Sequence, residues 1–326
     1  MKKIVKVLAL VLTAVIAIVA TGCTLGGKSG NPKIGIIQYV DHIALNSARD
    51  GFVTALKDNG YEEGKNITID LQNAQGDQSN LSTISDRFIG DKTDLVLAIA
   101  TPAAQSIAGK TTEIPILGTA ITDYVSAKLV DSDEVPGGNV TGTTDMNPIK
   151  EQIDLLVKLV PDAKTVGVLY TSNEDNSILQ AKLAKEAIEK LGMTYIEVTV
   201  SNSNEVQQST QSIVDQCDAI YIPTDNIFAS AMPVVHGVTS VSKTPVICGE
   251  SGMVNTGGLA TMGINYYDLG YQTGLMAVKV LKGEAKPDTM PIESATGFDF
   301  AINGTVAEEI GIEIPDDLQQ YVTKGE

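Results

Sequence analysis

The sequence predicts an α/β protein made of two doubly wound parallel-sheet lobes joined by a hinge. Three observations carry this. Short apolar strands alternate with amphipathic helical stretches along the chain, the order that builds an open parallel sheet with helices on both faces. The series restarts midway with a second opening strand, Thr165–Tyr170 (TVGVLY). Finally, 326 residues, 43% of them apolar, are enough for two cores of ordinary domain size.

Lys33–Ile37 (KIGII) is the first strand. Asn46–Asn59 is a helix with Ala48, Phe52, Ala55 and Leu56 on one face, stopped by Gly60. Ile67–Leu71 is a strand and Asp77–Ile89 a helix that turns Leu81, Ile84, Phe88 and Ile89 inward. Asp94–Ala100 (DLVLAIA) has the apolar run of a strand covered on both faces. Thr101 then caps a helix that begins at Pro102. Pro115–Leu117 is a short strand, and Val140–Asn147 reads as an extended crossing into the second unit.

That unit runs helix Pro148–Val160, strand Thr165–Tyr170, helix Asp175–Leu191, strand Thr194–Val198, helix Glu205–Val214 and strand Ala219–Ile222. Helix Ile227–Ser240, strand Pro245–Cys248 and an edge strand Leu259–Met262 follow. Tyr266–Leu281 is a helix, Phe298–Ile302 a last strand and Thr305–Ile310 a last helix. Ile264–Asn265 and Glu293–Thr296 read as two further crossings, and three crossings make a hinge rather than a loose linker. Lobe 1 is then 33–145 plus about 266–292, and lobe 2 is 146–265 plus about 293–326.

The N-terminus has the form of a removable leader. Lys2, Lys3 and Lys6 precede a run from Val7 to Ala20, apolar except for Thr13. The run falls short of the roughly 20 residues a spanning helix needs and fits the core of a secretory signal. Ala20-Thr21-Gly22-Cys23 resembles a bacterial lipoprotein box in which Cys23 becomes the lipidated first residue. The alternative is an ordinary signal peptide with an incidental cysteine. Residues 23–32, rich in Gly and Ser, form a flexible tether. The expected location is extracytoplasmic, lipid-anchored to the bacterial cell membrane.

The formal charge is −17, and −20 once a leader with three lysines and no acid is removed. That sign argues against a nucleic-acid partner. No Gly-rich phosphate loop with a lysine, no Gly-x-Ser-x-Gly turn and no Cys–His spacing for zinc is present. No catalytic set, cofactor or metal is therefore expected. Cys217 and Cys248 fall at opposite ends of their strands and read as free thiols.

Ligands of open parallel sheets bind beyond the carboxyl ends of the strands. In the first unit those ends carry Tyr39 and His42, then Thr101-Pro102-Ala103, then Thr119, Ala120 and Asp123. In the second they carry Tyr170, Ser172, Asn176 and Ser177, then Thr224-Asp225-Asn226, then Glu250. Thr101 at a helix start, with Thr119 and Ala120 beside it, suits a carboxylate. Asn176 and Ser177 can approach the same anion from the other lobe. Asp225 and Glu250, with Asp123 a weaker third, suit an ammonium. The alternatives are plain caps for Thr101 and Asp225, and a solvated loop acid for Glu250. Tyrosines at strand ends and crossings, Tyr39, Tyr124, Tyr170, Tyr266 and Tyr267, offer rings either for stacking or for hinge packing. His42 lines the mouth of the pocket or stays on a surface loop. An anion site facing acids describes a zwitterion pocket, hence a free amino acid before a sugar.

Several segments carry a family resemblance: GIIQYVDHIALNSARDGF at 35–52, YEEGKNITIDLQNAQGDQSNL at 61–81, AIATPAAQSIA at 98–108, TAITDYVSAKLV at 119–130, PGGNVTGTTDM at 136–146, IYIPTDNIFAS at 220–230 and YYDLGYQTGLMAVKVLKGEAKP at 266–287. The sequence resembles lipid-anchored substrate-binding proteins of ABC importers with a type I periplasmic-binding fold, and more closely the branch associated with tryptophan and other aromatic amino acids. Ile43 stands where that branch has proline. The resemblance implies lobes that close on an aromatic amino acid, Phe, Tyr or Trp, and delivery to an ABC permease and ATPase by a monomer. A receptor for a non-aromatic amino acid or other small solute, or a ligand-sensing lipoprotein that signals to a membrane protein, are the alternatives.

Overall fold

The structure is a computed structural model that describes residues 30–295 and 297–323. The leader, Cys23 and most of the tether lie outside the described residues. The first sheet contains β1 (Lys33–Gln38), β2 (Thr68–Asn73), β3 (Leu95–Ile99), β4 (Ile116–Ile121), β5 (Val140–Thr144) and the late β11 (Glu293–Ser294), in the order β11-β5-β4-β3-β1-β2. All its pairings are parallel. The second contains β6 (Thr165–Thr171), β7 (Thr194–Val200), β8 (Ala219–Ile222), β9 (Val246–Cys248), β10 (Ala260–Gly263), β12 (Asp299–Asn303) and β13 (Val322–Thr323), in the order β13-β12-β10-β9-β8-β6-β7. Only the β10–β12 pairing is antiparallel.

Helices α1 (Ile43–Asp58), α2 (Gln78–Gly90) and α3 (Thr101–Ala108) connect the first sheet. The second is served by α4 (Ile149–Leu159), α5 (Asp175–Lys190), α6 (Val206–Val214), α7 (Asn226–Ser230), α8 (Met232–Ser242), α9 (Ser251–Asn255) and α11 (Gly304–Ile310). α10 (Tyr266–Leu281) returns to the first sheet and lies along α1. Glycines allow that approach: a Cβ on Gly270 would fall 1.8 Å from the Ala48 carbonyl oxygen, and one on Gly51 2.0 Å from that of Tyr267.

Several expectations shift. Val140–Thr144 is a strand of the first sheet, and only the residues after it cross. Glu293–Ser294 pairs with β5, so the last crossing begins after Ser294 rather than at 293. β10 is interior, because β12 folds back antiparallel beside it and takes the outer position. The helix expected over 227–240 is two, α7 and α8, with Ala231 at the junction.

One apolar core fills the first unit and continues to the α6 and α8 side of the second sheet, taking in Ile36, Leu97, Phe228 and Ile220. A second core, with Leu156, Val168, Ile247 and Ile302, fills that sheet's other side. Strand ends of the two sheets face each other. Gln105 Nε2 donates to Asp175 Oδ2 at 2.7 Å, and Gln180 Nε2 to Thr122 Oγ1 at 3.2 Å, so the lobes are joined across the cleft. Among the described residues no helix is long and apolar enough to cross a membrane.

Candidate functional site

The cleft narrows to a small cavity of about 10 Å³, enough for about one water. His42, Leu45, Ala120 and Thr122 line it from the first unit. Asn176, Thr224, Asp225, Asn226, Ala229 and Glu250 line it from the second, and Asp145 and Tyr266 from two of the crossings. Seven of the sequence candidates thus converge: His42, Ala120, Asn176, Thr224, Asp225, Asn226 and Glu250.

The acids are the chemical signature. Asp145, Glu174, Asp225 and Glu250 are each at most 3% exposed, and no lysine or arginine lines the cavity. Burial raises the proton affinity of all four, and pushes Glu250 up to about 7 against two backbone N–H bonds from Gly252 and Met253. Burial likewise pushes His42 down to about 4, so its ring stays neutral near Asn226, with Nε2 3.4 Å from Asn226 Oδ1.

Near α5 the cavity is lined by Asp225, with Glu174 buried behind Asn176 and Asn226. Asp225 accepts from Thr171 N at 2.6 Å, Thr171 Oγ1 at 2.8 Å and Phe228 N at 2.9 Å, which makes it the N-cap of α7 as well as a cavity wall. Both its oxygens are occupied, so it offers a ligand charge rather than a free acceptor. Glu174 Oε2 accepts from Asn226 Nδ2 at 2.5 Å and from Asn176 Nδ2 at 3.3 Å. Glu174 Oε1 and Asn176 Oδ1 are buried without a partner. The hinge end is built on Asp145, whose Oδ2 accepts from Tyr266 Oη at 2.7 Å.

The backbone at the facing strand ends is strained. Ala100, after β3, has φ +82° and ψ 152°, and Ala120, at the β4 bulge, has φ +55°. Non-glycine residues avoid both regions. Ala100, not Thr101, occupies the cap position of α3; Thr101 is its first residue, and its buried hydroxyl lacks a partner.

The other candidates lie off the cavity wall. Pro102 and Ala103 are buried in the first lobe, and Thr119 Oγ1 is engaged with Thr143 Oγ1 at 3.3 Å. Tyr39 donates its hydroxyl to Gly76 O at 3.2 Å, and Ser177 bonds Asn176 and supports Asp225. Asp123 caps a turn by accepting from Ser126 N at 2.7 Å. Tyr170 and Ser172 are turned away by strand alternation: Tyr170 bonds Glu197 on the outer side of β6 and β7, and Ser172 donates to Val200 O. Leu45, Thr122, Asp145, Glu174 and Ala229 are not among the sequence candidates, and the sequence marks Tyr266 only as an aromatic at a crossing.

Two parallel-sheet lobes, crossed by three segments and closed on a polar cavity at the strand ends, define a binding protein of the type I periplasmic-binding fold. The profile of the ABC transporter substrate binding protein family matches residues 33–325, and the chain belongs to that family. It is an extracytoplasmic solute receptor of an ABC importer. The chain is 40% identical to the tyrosine-binding protein of Clostridioides difficile over 91% of its own length and 90% of the relative's. A Streptococcus pneumoniae ABC domain solved with L-Trp matches at 40% identity and a TM-score of 0.87, over 90% of this chain and all of that one. A ligand-free, open Clostridium difficile substrate binding protein with adhesive properties is 44% identical, over 90% of this chain and all of that one, yet its TM-score is 0.68. The lobes here therefore stand nearer to the arrangement of the L-Trp complex, in accord with the hydrogen bonds across the cleft.

Proposed function

We propose that this receptor binds a free aromatic amino acid, phenylalanine, tyrosine or tryptophan, between its lobes without turning it over, and hands it to a permease. One observation carries the reading: buried carboxylates surround a cavity that has no lysine or arginine. Charge of that sign in a closed site calls for a cation. An amino acid's ammonium is a cation of that kind, with N–H donors for buried carboxylate oxygens. The relatives named for tyrosine and solved with L-Trp support an aromatic side chain.

In this reading Glu174 Oε1 and Asn176 Oδ1 accept from the ammonium, with Asp225 adding charge behind them. The carboxylate meets the first unit at Thr101, Ala120 and Thr122, and the ring lies against Leu45 and Tyr266. A cavity this small requires opening about the hinge before the ligand can enter. A lipid on Cys23 keeps the monomer at the membrane, beside its permease and ATPase.

The test is a thermal-shift screen of the purified protein against the common amino acids, sugars and nucleosides. Ligand at about 100 times its Kd adds about 2.7 kcal/mol, a shift of a few degrees. The expected result is a shift confined to aromatic amino acids. A shift only with other amino acids would discard the aromatic assignment, and none with any amino acid would discard the ammonium site. The chain has no tryptophan, so bound tryptophan supplies the only indole fluorescence for titration.

A further inference from the structure

We propose that the hinge end of the cavity is a second polar subsite, in which Asp145 accepts a hydrogen bond from the ligand's ring, so that the receptor selects aromatic amino acids bearing a ring N–H or O–H over phenylalanine. The inference rests on the aromatic reading above and deepens it.

Asp145 sits on the crossing between β5 and α4 and is 3% exposed. Tyr266 Oη fills its Oδ2, and the neighbouring Thr122 hydroxyl further favours the ionised form. Asp145 lines the cavity, and its Oδ1 is buried with no partner. Asn147 Oδ1, two residues on, is also buried and unpartnered. Glu250 stands close enough that the Asp145 charge raises its proton affinity, but the oxygens of Glu250 are engaged by Gly252 N and Met253 N. The open acceptor at this end is therefore Asp145.

One ammonium cannot serve both ends. Glu174 follows β6 and Glu250 follows β9, with β8 between them. Two strand spacings set the backbone ends of β6 and β9 about 9–10 Å apart. An ammonium that donates over about 3 Å to each side spans about 6 Å. With the ammonium held at Glu174 and Asn176, Asp145 needs a donor from the far end of the ligand. Leu45, Ala120 and Tyr266 line the same cavity, and suit the face of an aromatic ring. A phenol hydroxyl or an indole N–H would satisfy Oδ1. The ring edge of phenylalanine would bury it unpaired, and sites built around such a bond reject the analogue that lacks it.

The test is calorimetric titration of the wild-type protein with tyrosine, tryptophan, phenylalanine, O-methyltyrosine and 1-methyltryptophan. Phenylalanine and each methylated analogue are expected to bind at least about 100-fold more weakly than the better of tyrosine and tryptophan. Phenylalanine is the arm free of added bulk, and it depends on no variant. Asp145→Ala is expected to bring the ratio of the better ligand to phenylalanine below about tenfold, mainly by weakening the better ligand. Phenylalanine binding to wild type within about threefold of both tyrosine and tryptophan would overturn the inference and leave the aromatic reading standing. Binding of no aromatic amino acid would overturn both.

Discussion

At the scale of single residues, the site is decided by which acids are buried and which of their oxygens are free. Asp225 and Glu250 have theirs engaged by backbone and hydroxyl donors of their own lobe. Glu174 keeps one open, directly behind Asn176. Glu174→Gln keeps the shape, removes the charge and puts an N–H donor where two amide groups already donate. It is expected to weaken amino acid binding at least about 30-fold, as truncating one partner of a buried charge pair does. Titration followed by fluorescence would show this, and an unchanged Kd would move the ammonium elsewhere. Asp225 and Glu250 were legible in the sequence because each directly follows a strand and precedes a helix. Glu174 lay in a segment, TSNEDNS, where nothing in the pattern separates the acid that turns inward from the one beside it. Asp145 was hidden for a different reason. It follows a strand that alternates weakly, VTGTT, and that stretch read as a crossing.

At the scale of elements, the pairing of α1 and α10 fixes how the chain re-enters the first unit after leaving the second. Gly51 and Gly270 let the two backbones approach within a distance that excludes a side chain. Gly270→Ala is expected to lower Tm by a few degrees, corresponding to about 1–3 kcal/mol of overpacking. Gly90→Ala, at a helix end with open space around the added carbon, should leave Tm unchanged or slightly raised. Equal effects in a paired thermal melt would show that the close approach is not what stabilises this pairing. Periodicity identified both helices and most strands, since apolar faces at 3.6 and 2 residues are local properties. It assigned β10 to an edge because nothing in Leu259–Met262 reports that β12, some forty residues later, returns alongside it.

For the whole molecule, the facing lobes hold Asp145, Asp225 and Glu250 out of water around one cavity, with Glu174 buried beside it and His42 neutral among them. Raised carboxyl pKa values mean that the folded protein holds protons the unfolded chain has lost. Stability of the ligand-free protein should therefore fall as pH rises from about 6.5 through about 8, the window set by Glu250 and Glu174; below it, from about 4 to 6.5, the neutral His42 acts in the opposite direction. A bound ammonium favours the carboxylates, so ligand uptake should release protons within that window. Calorimetry at one pH in buffers of different ionisation enthalpy measures the proton count. Proton uptake on binding, or ligand-free stability that rises across the window, would contradict this electrostatic account.

The sequence by itself determined the class of fold, the two lobes, the three crossings and the side of the sheets where the cavity opens. Strand and helix periodicity, helix-stop glycines and the restart of the series are written in neighbouring residues, and strand ends follow from the order of elements. Tertiary structure alone decided which polar groups are stripped of water and which remain unpaired. Tyr170 and Ser172, on one such strand end, point away, while Tyr266 and Asp145, from segments 121 residues apart, share a hydrogen bond in the cavity wall. Desolvation depends on everything packed around a group, and much of what packs here comes from the opposite lobe.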